Sequence, residues 1–186
     1  PISNRSYDQK TVLPYLFGLL PDSEQQRRAI AAEYEVRPNN PLALLEHIGL
    51  DCPGGVQFYR EEDLSAARRR KGSYLPLSDQ AIAARLASIR QDGDSSWMGG
   101  EESWSLGGNQ GKFALGLHDG IWCECQGSAR TTHIFKNGVI GFKFQALNEY
   151  ICMATSKRCG VATSDVEYRL FEDEPALIGT RYDRAL

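Results

Sequence analysis

The stretch KFALGLHDGIWCEC, residues 112–125, decides the fold of the C-terminal half of this chain. Residues 112–117 and 121–125 are predicted as strands. Between them lies Asp119-Gly120, a strong signal for a two-residue hairpin turn, because glycine accepts the positive φ that such a turn requires. Residues 132–136 follow as a third predicted strand. Together these segments predict an antiparallel sheet.

The remainder of this half continues the same architecture. A helix is predicted over about residues 147–159, with a stop at Gly160, a residue that suits the end of a helix. Residues 167–171 and 176–182 are predicted as a second hairpin around the turn at 172–175. The resulting order, β-β-β-α-β-β, is that of a protein-kinase N-lobe.

The N-terminal part has a different, mainly helical pattern. Ser23 and Gln26 have capping-box spacing, which predicts a helix that begins after Ser23. Asn40 suits the N-cap of the next helix and Pro41 its first position, where no amide hydrogen is needed. Residues 56–58 are predicted as a short strand.

Three regions follow from these patterns. They are a mainly helical subdomain over 1–58, a connector with one helix over 59–100, and a kinase-like N-lobe over 101–186. The connector helix is predicted from an apolar stripe at helical spacing, formed by Ile82, Leu86 and Ile89. The fold class is therefore α+β.

The composition excludes several classes of function. A net charge of −3 provides no global basic field for nucleic acid. No segment approaches the ~20 apolar residues of a membrane span, so no membrane association is expected. Five cysteines, an odd number in a chain too large to need disulfides, favour a reducing, cytoplasmic setting. Cys123 and Cys125 lack C-x-x-C spacing, so buried thiols are favoured over a metal site.

The segment SLGGNQGK, residues 105–112, is the first candidate site. Its glycines would let backbone amides approach a phosphate closely, and Lys112 adds a cation at the exit of the loop. No Ser or Thr follows this lysine and a strand comes next, so the pattern differs from the P-loop of NTPases. A glycine loop that leads into a strand is how protein kinases cover ATP. On composition alone, a flexible hairpin loop is the favoured alternative.

The second candidate is a lysine–glutamate pair. Alternation along the predicted strand places His133 and Phe135 on one face and Lys136 on the other. A lysine on an otherwise apolar face needs a partner, because burying it unpaired is costly. Glu149 lies near the start of the following helix, and such a pair positions ATP phosphates in kinases. Taken singly, Lys136 is better explained as an exposed strand-end lysine, and Glu149 as a favourable charge in a first helical turn.

Several motifs resemble those of the HipA family of protein kinases. They are LLPD at 19–22, LLEHIGLDCPGG at 44–55, SLGGNQGK at 105–112, THIFK at 132–136, NEY at 148–150 and RYDR at 181–184. The motifs follow the family order across nearly the whole chain. On these motifs the sequence is identified as a member of that family.

The resemblance implies a bacterial serine/threonine-protein kinase that is the toxin of a type II toxin–antitoxin system and uses ATP and Mg²⁺. The family's best-known target is glutamyl-tRNA synthetase, whose phosphorylation halts translation and favours persistence. The implied partners are that protein substrate, a HipB-like helix-turn-helix antitoxin, and operator DNA, contacted mainly through the antitoxin.

The resemblance also implies roles for individual residues. The loop residues implied to bind ATP are Gly107, Gly108, Asn109, Gln110, Gly111 and Lys112. The implied catalytic pair is Lys136, in contact with phosphate, and Glu149, which orients that lysine. The implied hinge residues are Thr180, Arg181, Tyr182 and Asp183, where Thr180 and Tyr182 meet adenine through backbone groups and Asp183 meets the ribose.

Ser105 matches the serine that the family autophosphorylates. A phosphate there adds nearly two negative charges beside the phosphate loop, so the resemblance implies that it expels the loop and silences the enzyme. Gly179-Thr180 departs from the Val-Glu that the family often has at the hinge, and Gly111 is more flexible than the typical residue at its position.

The sequence ends at Leu186, before the positions where the family carries its catalytic-loop and magnesium-binding aspartates. The C-lobe is therefore absent from it, and no metal ligands are expected in this chain. These 186 residues alone are expected to bind ATP weakly and not to catalyse. The alternative is a non-catalytic HipA-like interaction module that binds an antitoxin or regulates a separate kinase chain.

Overall fold

The computed structural model describes residues 6–91, 105–108 and 110–184. Its first part is helical and contains α1 (Gln9–Gly18), α2 (Glu24–Glu33) and α3 (Pro41–Ile48). The predicted N-caps are confirmed. Ser23 Oγ accepts a hydrogen bond from the Gln26 amide at 3.2 Å, and Asn40 Oδ1 accepts one from the Ala43 amide at 3.3 Å. Each cap satisfies a donor that the first helical turn leaves free.

Residues 6–58, here called the N-terminal unit, have their own hydrophobic core. Its buried members are Leu16, Leu19, Leu20, Ile30, Ala31, Leu44, Leu45, Ile48 and Cys52. Burial of each large aliphatic side chain contributes about 1.5–3 kcal/mol. The strand predicted over 56–58 is wrong. The Phe58 amide donates to the Gly49 carbonyl at 2.9 Å, and the segment is irregular chain.

The segment after the N-terminal unit holds more structure than the predicted connector with one helix. Its described part, residues 59–91, contains α4 (Leu64–Arg69), β1 (Ser73–Pro76) and α5 (Asp79–Gln91). The apolar stripe of α5 is buried as predicted. Strand β1 is short, exposed and ends in proline, so its sequence carried little strand signal. It forms because it pairs with residues 123–126, Ser73 lying opposite Gln126 at one end of the ladder.

A six-stranded sheet forms the second part of the fold. Its further strands are β2 (Lys112–His118), β3 (Ile121–Gln126), β4 (His133–Lys136), β5 (Val166–Phe171) and β6 (Glu174–Thr180). The order is β1-β3-β2-β4-β6-β5, and all neighbours are antiparallel. Helix α6 (Gln145–Arg158) connects β4 to β5. The predicted α+β class is confirmed.

Of the two predicted hairpins of the sheet, the first has the predicted turn and the second has a shorter turn than predicted. Asp119 and Gly120 both have positive φ, 49° and 77°, so the predicted tight turn is confirmed. The second turn contains only Glu172 and Asp173, because β6 already begins at Glu174. That strand ends at Thr180, two residues earlier than predicted.

The sheet is covered by a helix on each face. Helix α5 packs on the face whose core contains Phe113, Trp122, Phe135 and Phe171. The rings of Phe113 and Phe135 stack at 5.1 Å, and Trp122 meets Phe135 edge-on at 4.9 Å. Helix α6 lies at the opposite face, toward which Lys136 projects. The predicted alternation along β4 therefore places a hydrophobic core and a polar site on opposite sides of one strand.

No described helix is long and apolar enough to span a membrane. Cys123 and Cys125 are buried free thiols. Within the described ranges, the His, Cys, Asp and Glu side chains form no group that could hold a metal ion.

Candidate functional site

A cleft of about 180 Å³ lies between the sheet, α6 and the segment that follows β6. The side chains of one group of lining residues are apolar: Pro53, Leu106, Ile134, Met153, Val166 and Leu177. The other lining residues are Lys136, Glu149, Ser164, Gly179, Thr180, Arg181, Tyr182 and Asp183. The lining of the cleft thus combines apolar side chains, the ionic side chains of Lys136 and Glu149, and the hinge residues 180–183.

The structure brings Lys136 and Glu149 together at this wall. Lys136 is the last residue of β4, and Glu149 lies in the second turn of α6. Lys136 Nζ donates to Glu149 Oε1 at 2.6 Å, and the two side chains are 27% and 28% exposed. Both residues line the cleft and are only partly exposed, so the pair places its cation at the edge of the cleft.

Lys112 provides a second cation beside this pair. It lies directly opposite Lys136 in the β2–β4 ladder, and its side chain is buried. Its Nζ donates to the Gly107 carbonyl at 3.0 Å. Burial, together with the positive charge of Lys136, lowers the pKa of Lys112 to about 8. Two neighbouring ammonium groups, of which one has a carboxylate partner, attract an anion.

The glycine loop lies against the end of α1. A Cβ on Gly107 would be 2.9 Å from the Gly18 carbonyl oxygen, so only glycine allows this approach. Gly108 has φ +101° and forms a bridge with Pro21. Ser105 is fully buried and its hydroxyl donates to the Leu19 carbonyl.

The other loop residues fall into two groups. Gln110 donates through its side chain to the Asn137 carbonyl at 2.8 Å, and Gly111 is buried. Asn109 lies outside the described residues. The LLPD motif has a structural role, because the backbone of residues 18–21 is the surface on which the glycine loop lies.

The hinge residues follow β6 along the edge of the cleft. The Thr180 amide donates to the Asp165 carbonyl at 2.8 Å, and the Arg181 amide to the Thr132 carbonyl at 2.9 Å. Both amides are therefore engaged within the sheet. The Tyr182 side chain is 83% exposed.

The Asp183 carboxylate has a structural environment that the sequence pattern did not predict. Its Oδ2 accepts hydrogen bonds from the Gly54 amide at 2.7 Å, from Arg184 at 2.8 Å and from Arg181 at 3.0 Å. Burial by itself would raise the pKa of Asp183, but the Arg181 hydrogen bond and the positive charges of both arginines outweigh it and lower the pKa. The carboxylate is therefore ionised and held in place.

Some lining residues had a signal in the sequence and others had none. Val166 and Leu177 lie on β5 and β6, so alternation along these strands could have placed them on the cleft face. Pro53 comes from the N-terminal unit, and only the tertiary structure brings it to the hinge.

This arrangement suits a phosphorylated, flat ligand. Cations and loop backbone would meet the phosphates, the apolar wall would cover a ring, and hinge backbone would meet the polar edge of that ring. The fold and the site together define a kinase-like N-lobe attached to a helical N-terminal unit.

Comparison with known proteins agrees with this class. The sequence model of the HipA N-terminal domain matches residues 1–59, and that of the HipA-like C-terminal domain matches residues 104–186. A Sinorhizobium fredii protein named "Putative kinase Y4mE" is 31% identical over 182 residues, which cover 96% of this chain and 42% of that protein. The Shewanella oneidensis serine/threonine-protein kinase toxin HipA is 27% identical over 175 residues, which cover 91% of this chain and 37% of the toxin.

A solved structure shares the fold. It is the Shewanella oneidensis complex of HipA, HipB and operator DNA, matched with a TM-score of 0.73 and 24% identity over 94% of this chain and 39% of that chain. The chain belongs to the HipA-like family. It spans less than half the length of the curated relatives it matches.

Proposed function

We propose that this chain forms the ATP-binding part of a HipA-like serine/threonine-protein kinase. The observation that carries the proposal is the Lys136–Glu149 ion pair at the cleft wall, 2.6 Å between Nζ and Oε1. A strand lysine paired with a helix glutamate positions the phosphates of ATP in protein kinases. Lys112, in register with Lys136, adds a second positive charge where those phosphates would lie.

The cleft fits the remainder of the nucleotide. The glycine loop and Lys112 would hold the phosphates, while the apolar residues Ile134, Val166 and Leu177 would pack against adenine. Thr180, whose amide already donates to Asp165, would meet the edge of adenine through its carbonyl, Tyr182 would meet it through backbone groups, and Asp183 would meet the ribose. Mg²⁺ would neutralise charge on the phosphates. Protein kinases hold it with an aspartate and an asparagine of the DFG motif and catalytic loop.

Silencing by autophosphorylation of Ser105 is part of the proposal. The hydroxyl is fully buried against the Leu19 carbonyl, so it can accept a phosphoryl group only after the loop leaves the end of α1. A phosphate carries nearly two negative charges and cannot return to that closed, carbonyl-lined position. The modified loop would then no longer cover ATP.

The whole protein is proposed to act as a toxin restrained by an antitoxin. The support is the family, together with the solved Shewanella complex that contains HipA, HipB and operator DNA. The partner would be a HipB-like helix-turn-helix antitoxin, which would make most of the contacts to DNA. The substrate would be a translation component, with glutamyl-tRNA synthetase as the first to test.

Lys136→Ala in the full-length protein tests the proposal. We expect kinase activity on glutamyl-tRNA synthetase, measured by transfer of labelled phosphate from ATP, to fall by roughly a hundredfold or more, because one charge that stabilises the transferred group is lost. Lys143→Ala is the matched control, since Lys143 is an exposed lysine outside the cleft. Full activity of the Lys136→Ala protein would contradict the role of this lysine, and lack of ATP binding by the unaltered protein would contradict the proposed function.

A further inference from the structure

Asp51, in the turn after α3, is a buried carboxylate with hydrogen-bond donors at both oxygens. Its Oδ2 accepts from the Thr131 amide at 3.1 Å, from the Thr131 hydroxyl at 2.6 Å and from Arg181 at 3.3 Å. Its Oδ1 accepts from Arg184. Asp51 is 8% exposed, so these partners replace water almost completely. The donors come from the β3–β4 connection and from the hinge.

The main chain of Asp51 contacts a different segment from the one that its side chain contacts. Its carbonyl oxygen accepts a hydrogen bond from the Ser105 amide at 3.4 Å, at the start of the glycine loop. Asp51 therefore contacts the loop through its main chain and the hinge through its side chain. Pro53, two residues later, lines the cleft itself.

The contact of Asp51 with the hinge belongs to a buried group of four charged side chains. Asp51 and Asp183 alternate with Arg181 and Arg184, and the four side chains are 2% to 11% exposed. Both arginines also donate to the Cys52 carbonyl, at 3.3 Å and 3.2 Å. Such a group is balanced as a whole, but removal of one charge leaves an unpaired buried ion, which is strongly unfavourable.

We propose that Asp51 is a positioning residue for the nucleotide, and this inference rests on the proposed function. It acts through Arg181 and Ser105, because it fixes the distance between the hinge, where adenine would lie, and the loop, where the phosphates would lie. Because a nucleotide would contact the hinge and the glycine loop at the same time, a shift of either segment weakens its binding. The N-terminal unit is thereby part of the nucleotide site.

The test compares Asp51→Asn with Glu46→Gln in the full-length protein. Asparagine keeps the shape of the side chain and removes its charge. Glu46→Gln is the matched control, because it removes a carboxylate on α3 whose ion pair with Arg60 lies at the surface. Both proteins are assayed at a temperature where circular dichroism shows them folded. Thr131→Val, which removes one hydroxyl donor to Asp51, serves as a milder second variant if Asp51→Asn does not fold.

We expect Asp51→Asn to raise the Kd and KM for ATP about tenfold or more with a smaller change in kcat, while Glu46→Gln leaves all three unchanged. Asp51→Glu should recover part of the affinity, since it restores the charge. Amide exchange of the nucleotide-free protein should accelerate at both 105–112 and 179–184 in Asp51→Asn. A role limited to folding stability would not raise KM in fully folded protein.

An unchanged Kd for ATP in folded Asp51→Asn and Thr131→Val, or faster exchange at only one of the two segments, would overturn the inference. Failure of the proposed function has a different signature. In that case the unaltered protein binds no ATP, while the exchange measurement, which needs no nucleotide, still decides whether Asp51 couples the loop to the hinge.

Discussion

Lys112 and Lys136 are neighbouring cations in unlike environments. Lys136 is neutralised by Glu149 and is about one quarter exposed. Lys112 is buried and donates to the Gly107 carbonyl, and its pKa is lowered to about 8, first by burial and then by the charge of Lys136. An anion that enters beside Lys112 favours the protonated form, so this residue gains most from a bound phosphate.

The lowered pKa of Lys112 predicts that ATP binding takes up a proton above pH 8. At pH 9 the free protein holds this lysine mostly neutral, and a phosphate restores its proton. Calorimetry at that pH, in buffers of different ionisation enthalpy, should show uptake of about one proton per ATP, and affinity should fall as pH rises further above 8. Lys112→Met should lose the uptake and Lys143→Met should keep it. Equal uptake in all three proteins would show that another group titrates.

At the scale of elements, the glycine loop and the C-terminal end of α1 pack backbone against backbone. Gly107 faces the Gly18 carbonyl, and Gly108 bridges to Pro21. The Arg27 guanidinium donates to the Pro21 carbonyl at 2.6 Å, which holds the α1–α2 connection in place. The position of the loop is therefore set by a helix end that lies nearly 90 residues earlier in the chain.

Gly107→Ala should disrupt this contact. The added Cβ would lie 2.9 Å from the backbone oxygen of Gly18, so the loop must move away. We expect a loss of about 1–3 kcal/mol in the free energy of unfolding and weaker ATP binding, measured by urea titration and calorimetry. Gly18→Ala approaches the same contact from the other side, yet its Cβ meets no atom within 4 Å and should be tolerated. Equal effects of the two variants would contradict this packing.

The predicted elements differ from the observed ones where the local sequence carries little signal for the structure that forms. The hairpin at Asp119-Gly120 and the stripe of α5 were predictable, because turn geometry and helical periodicity are local properties. Strand β1 was missed, because an exposed four-residue strand depends on its partner β3. The segment 56–58 has strand composition, but none of the strands among the described residues pairs with it.

At the scale of the whole molecule, the N-terminal unit contacts the second part of the fold at two places, the glycine loop and the hinge. Ser105 and the glycine loop contact the end of α1, and the hinge arginines contact Asp51 and Cys52. Each hydrophobic core is separate, so polar and backbone contacts determine how the two parts fit together. A change on either side of this junction should therefore reach the proposed nucleotide site.

Ser105→Ala tests the switch proposed at this junction. Both full-length proteins are incubated with ATP and analysed by mass spectrometry. We expect the loop peptide of the unaltered protein to carry phosphate and the loop peptide of the Ser105→Ala protein to lack it. Ser73→Ala, which alters an exposed serine on β1, should retain the modification. Phosphate found only at another site in the unaltered protein would refute the assignment of Ser105.

The class of fold, the family and the two faces of β4 follow from the sequence alone, since turn signals, caps, motifs and alternation are local properties of the chain. Alternation alone placed Lys136 opposite the core residue Phe135. Three features depend on the tertiary structure instead. They are the pairing of Lys112 with Lys136, the packing of the glycine loop against the end of α1, and the contact of Asp51 with the hinge. Asp51 and Arg181 are 130 residues apart, and such contacts depend on how the cores and the sheet register bring distant segments together.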